Sequence, residues 1–180
     1  DEVSEMRGLR LVAMWPGEIP AGTESDELFG PCDWLPTMLG LAGTEPSAPM
    51  DGVDLSGAMG GDAGPGRDAL MIARMTHLSN SWLADASPTW RGVRTRKHTH
   101  ARDNWSGKPW LLFDNVADPL QLHNLVTTPG HEAPVQALEQ RTVELLAAAG
   151  DSADDLAIAR QIVDENPGNG GVKAFLDAST

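Results

Sequence analysis

His98 and His100 alternate along one short segment, so in a strand both imidazoles face the same way. That spacing suits a metal or an anion, but no third ligand stands beside it. Two pairs of oxygen-bearing side chains, Asp114-Asn115 and Asp154-Asp155, have the chemistry of a hard-cation cage, which needs several oxygens converging on one ion. The second lies on a late helix and is not read as a ligand pair. Cys32 is the single cysteine, which excludes an intrachain disulfide and a thiolate cluster. It sits in Pro31-Cys32-Asp33-Trp34-Leu35-Pro36 at the start of a helical pattern and reads as a small buried thiol. His77 opens a polar loop, 78–89, that contains Trp82; an imidazole and an indole together can bond and stack a sugar or aryl group. His123 belongs to a turn and His131 to a loop.

Charge is unevenly placed. The 180 residues hold 13 Lys plus Arg against 26 Asp plus Glu, for a net charge of −13. Such a chain is repelled by phosphate and by anionic lipid, which argues against nucleic acid and membrane partners. No apolar run approaches the roughly 18 residues of a bilayer span, and no basic-then-apolar leader opens the sequence. Yet residues 71–112 carry seven bases, Arg74, Arg91, Arg94, Arg96, Lys97, Arg102 and Lys108, against Asp85 and Asp103. A basic island in an acidic chain predicts pairing with the protein's own carboxylates. Arg91 and Arg94 lie three apart and therefore face opposite sides of a strand. By its place in Val93-Arg94-Thr95, part of a segment whose family resemblance is given below, Arg94 is the expected buried structural donor, to a carboxylate or to backbone carbonyls.

The elements that must hold these groups follow from pattern. Leu9 to Met14 is a nearly continuous apolar run stopped by Pro16-Gly17, as in a strand buried on both faces, which needs neighbours. A helix follows, with Asp33 as its cap, Pro36 in its first turn, Leu35, Met38, Leu39 and Leu41 as its apolar face, and Gly43 as its stop. Residues 44–68 are rich in Gly and Pro and read as a linker. Four short strands come next, Leu70–Met75, Trp90–Thr95, His98–Arg102 and Trp110–Asp114, the middle two joined by the tight Arg96-Lys97 turn. Four strands in succession predict an antiparallel sheet, and a helix over 135–149 covers it through Val135, Leu138, Val143, Leu145 and Leu146. Another helix is expected over 154–164, followed by a frayed tail.

Five segments carry a resemblance. They are Trp15-Pro16-Gly17-Glu18-Ile19-Pro20-Ala21-Gly22, Asp33-Trp34-Leu35-Pro36-Thr37-Met38-Leu39 with its Ala42-Gly43 end, Asp51-Gly52-Val53-Asp54-Leu55, Trp90-Arg91-Gly92-Val93-Arg94-Thr95, and Leu112-Phe113-Asp114 with Asp118-Pro119-Leu120-Gln121-Leu122-His123-Asn124-Leu125. In this order and spacing they resemble the sulfatase family, over about residues 5–149. The resemblance implies an α/β fold, or an α+β fragment of one: a strand and helix from the end of an alkaline-phosphatase-like central sheet, then a four-stranded antiparallel sheet with a C-terminal helix. It implies a division into 1–68, 69–150 and 151–180. Asp118 and Asn124 are expected to tie a structural turn by bonding backbone N–H groups, with Leu122 and Leu125 anchoring it.

The resemblance also implies hydrolysis of sulfate esters, those of carbohydrates among them. The family's chemistry uses a formylglycine nucleophile and a calcium ion, and the segments that supply them precede the part resembled here. No catalytic residue and no metal ligand is assigned in this chain. The expected partners are an N-terminal catalytic portion and a small sulfated substrate, with His77 and Trp82 as candidate substrate-binding residues. Bacterial members are often exported to the periplasm or beyond. A phosphonate or phosphate ester hydrolase of the same superfamily is the alternative reading, and a non-catalytic structural remnant is a third.

Overall fold

A computed structural model describes residues 11–74, 89–104 and 106–151. The chain divides into two compact units, residues 1–70 and 71–180.

In the first unit a 3-10 turn, Pro31–Asp33, runs into helix α1, Trp34–Leu41, and a single helical turn α2, Ser56–Met59, follows in the segment read as linker. The end of α1 is closed as expected. The Gly43 N–H donates to the Gly40 carbonyl and the Thr44 N–H to the Leu39 carbonyl, the paired bonds of a Schellman cap. Its start differs from expectation, because the Asp33 side chain makes no capping bond and is spent elsewhere. The buried face is also rotated. Pro36 and Thr37 are buried, whereas Leu35 is 60% exposed and Met38 40% exposed. The helix is buried through the residues that bond to the following loop, and its most apolar stripe is left outward.

The expected strand at 9–14 is not formed among the described residues. Residues 11–15 have no regular structure, with Val12 89% and Met14 86% exposed. The reason is the one that made the run look buried. A strand apolar on both faces is stable only between neighbours, and no described strand pairs with this one.

The second unit is organised on an antiparallel sheet. Strands β1 (Ala69–Arg74), β2 (Trp90–Thr95), β3 (His98–Asp103) and β4 (Pro109–Asp114) lie in the order β1-β2-β3-β4. Each strand begins or ends within one residue of its sequence expectation, because Arg96-Lys97 and Ser106-Gly107-Lys108 are real turns. Helix α3, Glu132–Ala148, packs on β2, β3 and β4. Its buried positions are Leu138, Thr142 and Leu146, four apart; Val143 is 49% exposed. Thr142 replaces Val143 in the seam because its hydroxyl donates to the Leu138 carbonyl at 2.8 Å, so burial leaves it satisfied. The helix expected over 154–164 lies outside the described residues.

Register assigns the faces. Val93 pairs with His100, His100 with Leu112, and Arg91 with Arg102, which puts these residues on the side of α3. Arg94, Thr99 and Phe113 line up on the opposite side, as do Gly92, Ala101 and Leu111. A register shift between Ala101 and Arg102 breaks the alternation in β4. Near it the Trp90 and Trp110 rings lie 6.4 Å apart, tilted by 35°.

Candidate functional site

His77 and Trp82, the candidate substrate-binding residues, lie outside the described residues. Asp154 and Asp155 lie outside them too; Asp33, Arg91, Arg94, His100, Asp114, Asn115, Asp118 and Asn124 fall into four polar clusters.

The first is centred on Asp33, 1% exposed. Its carboxylate takes two parallel bonds from Arg67, Nη1 to Oδ2 at 2.9 Å and Nη2 to Oδ1 at 2.7 Å. It also accepts the N–H of Gly30 at 2.7 Å and of Val53 at 2.9 Å. Burial alone would push this carboxyl up. The Arg67 and backbone hydrogen bonds, with the arginine's charge, outweigh it and hold the carboxyl below its ordinary value. Thr37 completes the arrangement by accepting the Leu55 N–H at 3.1 Å. The Asp51-Gly52-Val53-Asp54-Leu55 motif is thus threaded onto the first turns of α1 by side chains of the preceding motif. Gly52 is required there: a Cβ would overlap the Cys32 carbonyl. Cys32 itself is exposed, not buried as expected, because the 3-10 turn points its side chain outward while its carbonyl meets Gly52.

The second cluster is the turn after β4. Asp114 Oδ1 accepts the N–H groups of Val116 and Ala117, both at 2.9 Å, and the Ala117 bond leads the causes that hold its carboxyl low. Asp118 Oδ2 accepts the His123 N–H at 2.7 Å. Asn124 reaches back to β4, where Oδ1 accepts the Leu112 N–H at 3.0 Å and Nδ2 donates to the Trp110 carbonyl at 3.1 Å. It accepts the Val126 N–H as well, at 3.1 Å. Leu122, expected to anchor this turn, is 63% exposed. Backbone bonds hold the turn in its place, since the Leu125 N–H donates to the Leu112 carbonyl at 2.8 Å. Asn124→Ala is expected to cost about 2–3 kcal/mol, because it leaves strand groups unpaired. Chemical denaturation reads it, and a loss under 0.5 kcal/mol would assign the turn's stability to the backbone alone.

The third cluster occupies the sheet face away from α3. Arg94 Nη1 donates to Thr99 Oγ1 at 2.9 Å, and Thr99 Oγ1 donates to Asn115 Oδ1 at 2.8 Å. Gln121, 1% exposed, donates through Nε2 to both acceptors at 2.9 Å. Its backbone has φ 54°, a conformation that costs an ordinary side chain about 1–2 kcal/mol. Arg94 is half-buried, and burial lowers its pKa from the ordinary arginine value. The fully buried arginine is its neighbour.

That neighbour anchors the fourth cluster, under α3. The Arg91 side chain is 0% exposed, and its Nε donates to Asp151 Oδ2 at 2.6 Å. Gly150, at φ 71°, ends α3 in a left-handed turn that brings Asp151 round, with the Asp151 N–H donating to the Leu146 carbonyl. Beside it His100 and Arg102 both meet Glu139. Sequence reasoning missed these partners. The available signal was Glu139 flanking the Leu138 stripe and Asp151 following a helix-ending glycine.

These donors are already committed, and among the described residues no group of three or more His, Cys, Asp or Glu is placed to hold a metal ion. His98 and His100, the alternating pair, share a face but not a ligand set; His100 is taken by Leu111 and Glu139. Asp114 and Asn115 are spent on the turn and on Thr99. The calcium and formylglycine of the resemblance have no matching donor set in these residues, so no chemical step is derived through them. No described helix is long and apolar enough to cross a membrane.

Comparison with known proteins gives the arrangement its context. The family described as N-sulphoglucosamine sulphohydrolase, C-terminal, matches residues 4–148. An ulvan-active sulfatase of Formosa agariphila is 33% identical over 122 residues, covering 66% of this chain and 22% of that protein. Bovine arylsulfatase A (Bos taurus) is 30% identical over 170 residues, covering 87% of this chain and 33% of that protein. The chain therefore spans between a fifth and a third of the length of these relatives. A protein solved in complex with its substrate D-glucosamine-2-N,6-O-disulfate superposes with a TM-score of 0.56 at 20% identity, over 68% of this chain and 25% of that one, a likeness of fold. By the match of residues 4–148, which contain all four clusters except Asp151, this chain belongs to the sulfatase family and corresponds to its C-terminal region.

Proposed function

We propose that this chain acts as the C-terminal part of a sulfatase that hydrolyses sulfate esters of a carbohydrate. The observation that carries the reading is the family match across residues 4–148, with the motif residues Asp33, Arg94, Asp118 and Asn124 each engaged in the framework just described. The sulfated-sugar substrate is supported by the ulvan-active relative. In this reading the nucleophile and the calcium site belong to the portion that precedes the matched region in its relatives. That portion is the expected partner, and domain boundaries at 1–68, 69–150 and 151–180 divide what remains.

The contribution assigned to these residues is structural, each holding the framework of its own unit. His77 and Trp82 follow β1 in sequence, and an imidazole and an indole can bond and stack a sugar ring without entering the chemical step. Replacing either residue should leave the melting temperature nearly unchanged and alter preference among sulfated sugars once the N-terminal portion is supplied.

The test compares the purified chain with the same chain expressed together with that N-terminal portion. The chain alone is expected to release no sulfate from an aryl sulfate and to bind calcium only weakly. The joined protein is expected to release sulfate from sulfated sugars. Cleavage of a phosphonate or phosphate ester with sulfate esters untouched would move the assignment to the related hydrolases. Sulfate release by the isolated chain would overturn the division of labour.

A further inference from the structure

From Trp34 to Gly43, helix α1 and its closing turn hold no charged residue. A helix at a protein surface turns a polar face to water, and one that is apolar on every side is covered on every side. Here only one side is covered. Pro36 and Thr37 are buried, the Thr37 hydroxyl accepts the Leu55 N–H, and a Cβ on Gly40 would overlap the Asp54 carboxylate. At about 100° per residue, Trp34, Leu35, Met38 and Ala42 fall on the opposite side, and all four are exposed.

We propose that this outward stripe of α1 is a permanent interface and that its occupant is the polypeptide that precedes the matched region in the relatives. The proposal rests on the reading of the chain as the C-terminal part of a sulfatase. Three observations select that occupant. The matched stretch covers 33% of bovine arylsulfatase A and 22% of the ulvan-active sulfatase, so in those proteins most of the chain lies outside it. The unit that holds α1 also leaves a second apolar segment uncovered, residues 11–14, where Val12 and Met14 are strongly exposed. A run of that composition needs neighbours on both sides, so one partner answers two deficits. Finally, the stripe has no charged group within it, which is the composition of a permanent interface, a core cut in half, rather than of one that opens and closes.

A second copy of this chain is the competing occupant, and area argues against it. A helix of 8 residues spans about 12 Å. Three large side chains on that length fall well short of the about 800 Å² per partner that stable association of separate molecules requires. A segment of the same polypeptide needs no such area, because its tether holds it at a high effective concentration. A net charge of −13 further sets two copies against each other.

Hydroxyl-radical footprinting read by mass spectrometry compares the purified chain with the same chain joined to the N-terminal portion. Leu35 and Met38 are expected to label readily in the chain alone and severalfold less in the joined protein. Equal labelling in the two would overturn the interface. Protection in the chain alone, with dimers in sedimentation, would give the stripe to a second copy and overturn the assigned occupant. Leu35→Ala gives a second reading, since alanine keeps the helix. In the isolated chain this change is expected to alter hydrogen exchange of the α1 amides by no more than about twofold, as for a surface position. In the joined protein it should speed that exchange at least about thirtyfold, as for a leucine lost from a core. An equally small effect in both would overturn the proposal. None of these measurements uses sulfate release. A joined protein that shields Leu35 yet cleaves no sulfate ester would sink the sulfatase reading and keep the interface, and one that cleaves sulfate esters with Leu35 fully labelled would do the reverse.

Discussion

Replacing Asp33 with alanine is expected to destabilise the first unit by about 3–5 kcal/mol, the cost of stranding one member of a buried ion pair. The alanine leaves Arg67, 16% exposed, without its bidentate carboxylate, and leaves the N–H groups of Gly30 and Val53 without an acceptor. Urea denaturation measures the total, and hydrogen exchange at Val53 and Leu55 should show the loss first. Adding Arg67→Met to Asp33→Ala should recover part of it by removing the stranded charge. A single variant within 1 kcal/mol of the parent would show that the loop is held by packing alone. The pH dependence has a fixed sign. Because the folded carboxyl lies below its ordinary value, this stabilisation is complete above the ordinary aspartate range and is lost as the pH falls through the lowered value.

In the second unit the expected ranking of two arginines reverses the one that the sequence resemblance implies. Arg91→Ala should cost about 3–5 kcal/mol, since it empties a fully buried position and removes the 2.6 Å ion pair to Asp151. Arg94→Ala should cost about 1–3 kcal/mol, since Thr99 keeps Asn115 and Gln121 as partners. Thermal melts of the two variants side by side decide it. A larger loss at Arg94 would mean that the face away from α3 carries more of the second unit's stability than the face beneath the helix.

The sheet was legible in the sequence because its cues are local. Arg96-Lys97 and Ser106-Gly107-Lys108 read as turns, and the runs they bound have the length of short strands. Alternation also correctly set Arg91 and Arg94 on opposite faces. Which face is deeper could not be read, because that depends on where Asp151 arrives, 60 residues later, through the left-handed turn at Gly150. The same limit hid Asp33. A helix-start aspartate looks like a cap until Arg67, 34 residues away, claims both of its oxygens. Gln121 gave no cue at all, since nothing in a glutamine announces a positive φ. The run 9–14 misled in the other direction: its composition fits a buried strand, but composition does not supply the strands on either side.

Asn124 has a consequence for how copies of this protein meet one another. β4 is the last strand of its sheet, and an outer strand offers a row of free donors and acceptors on which a foreign strand can grow. Here the middle of that row is already occupied. The Trp110 carbonyl and the Leu112 N–H are taken by the Asn124 amide, and the Leu112 carbonyl by the Leu125 N–H. An incoming strand would have to displace all three bonds before making its first. Asn124 therefore does for the margin of the sheet what a selvedge does for cloth: it binds the last thread back so that the weave does not extend.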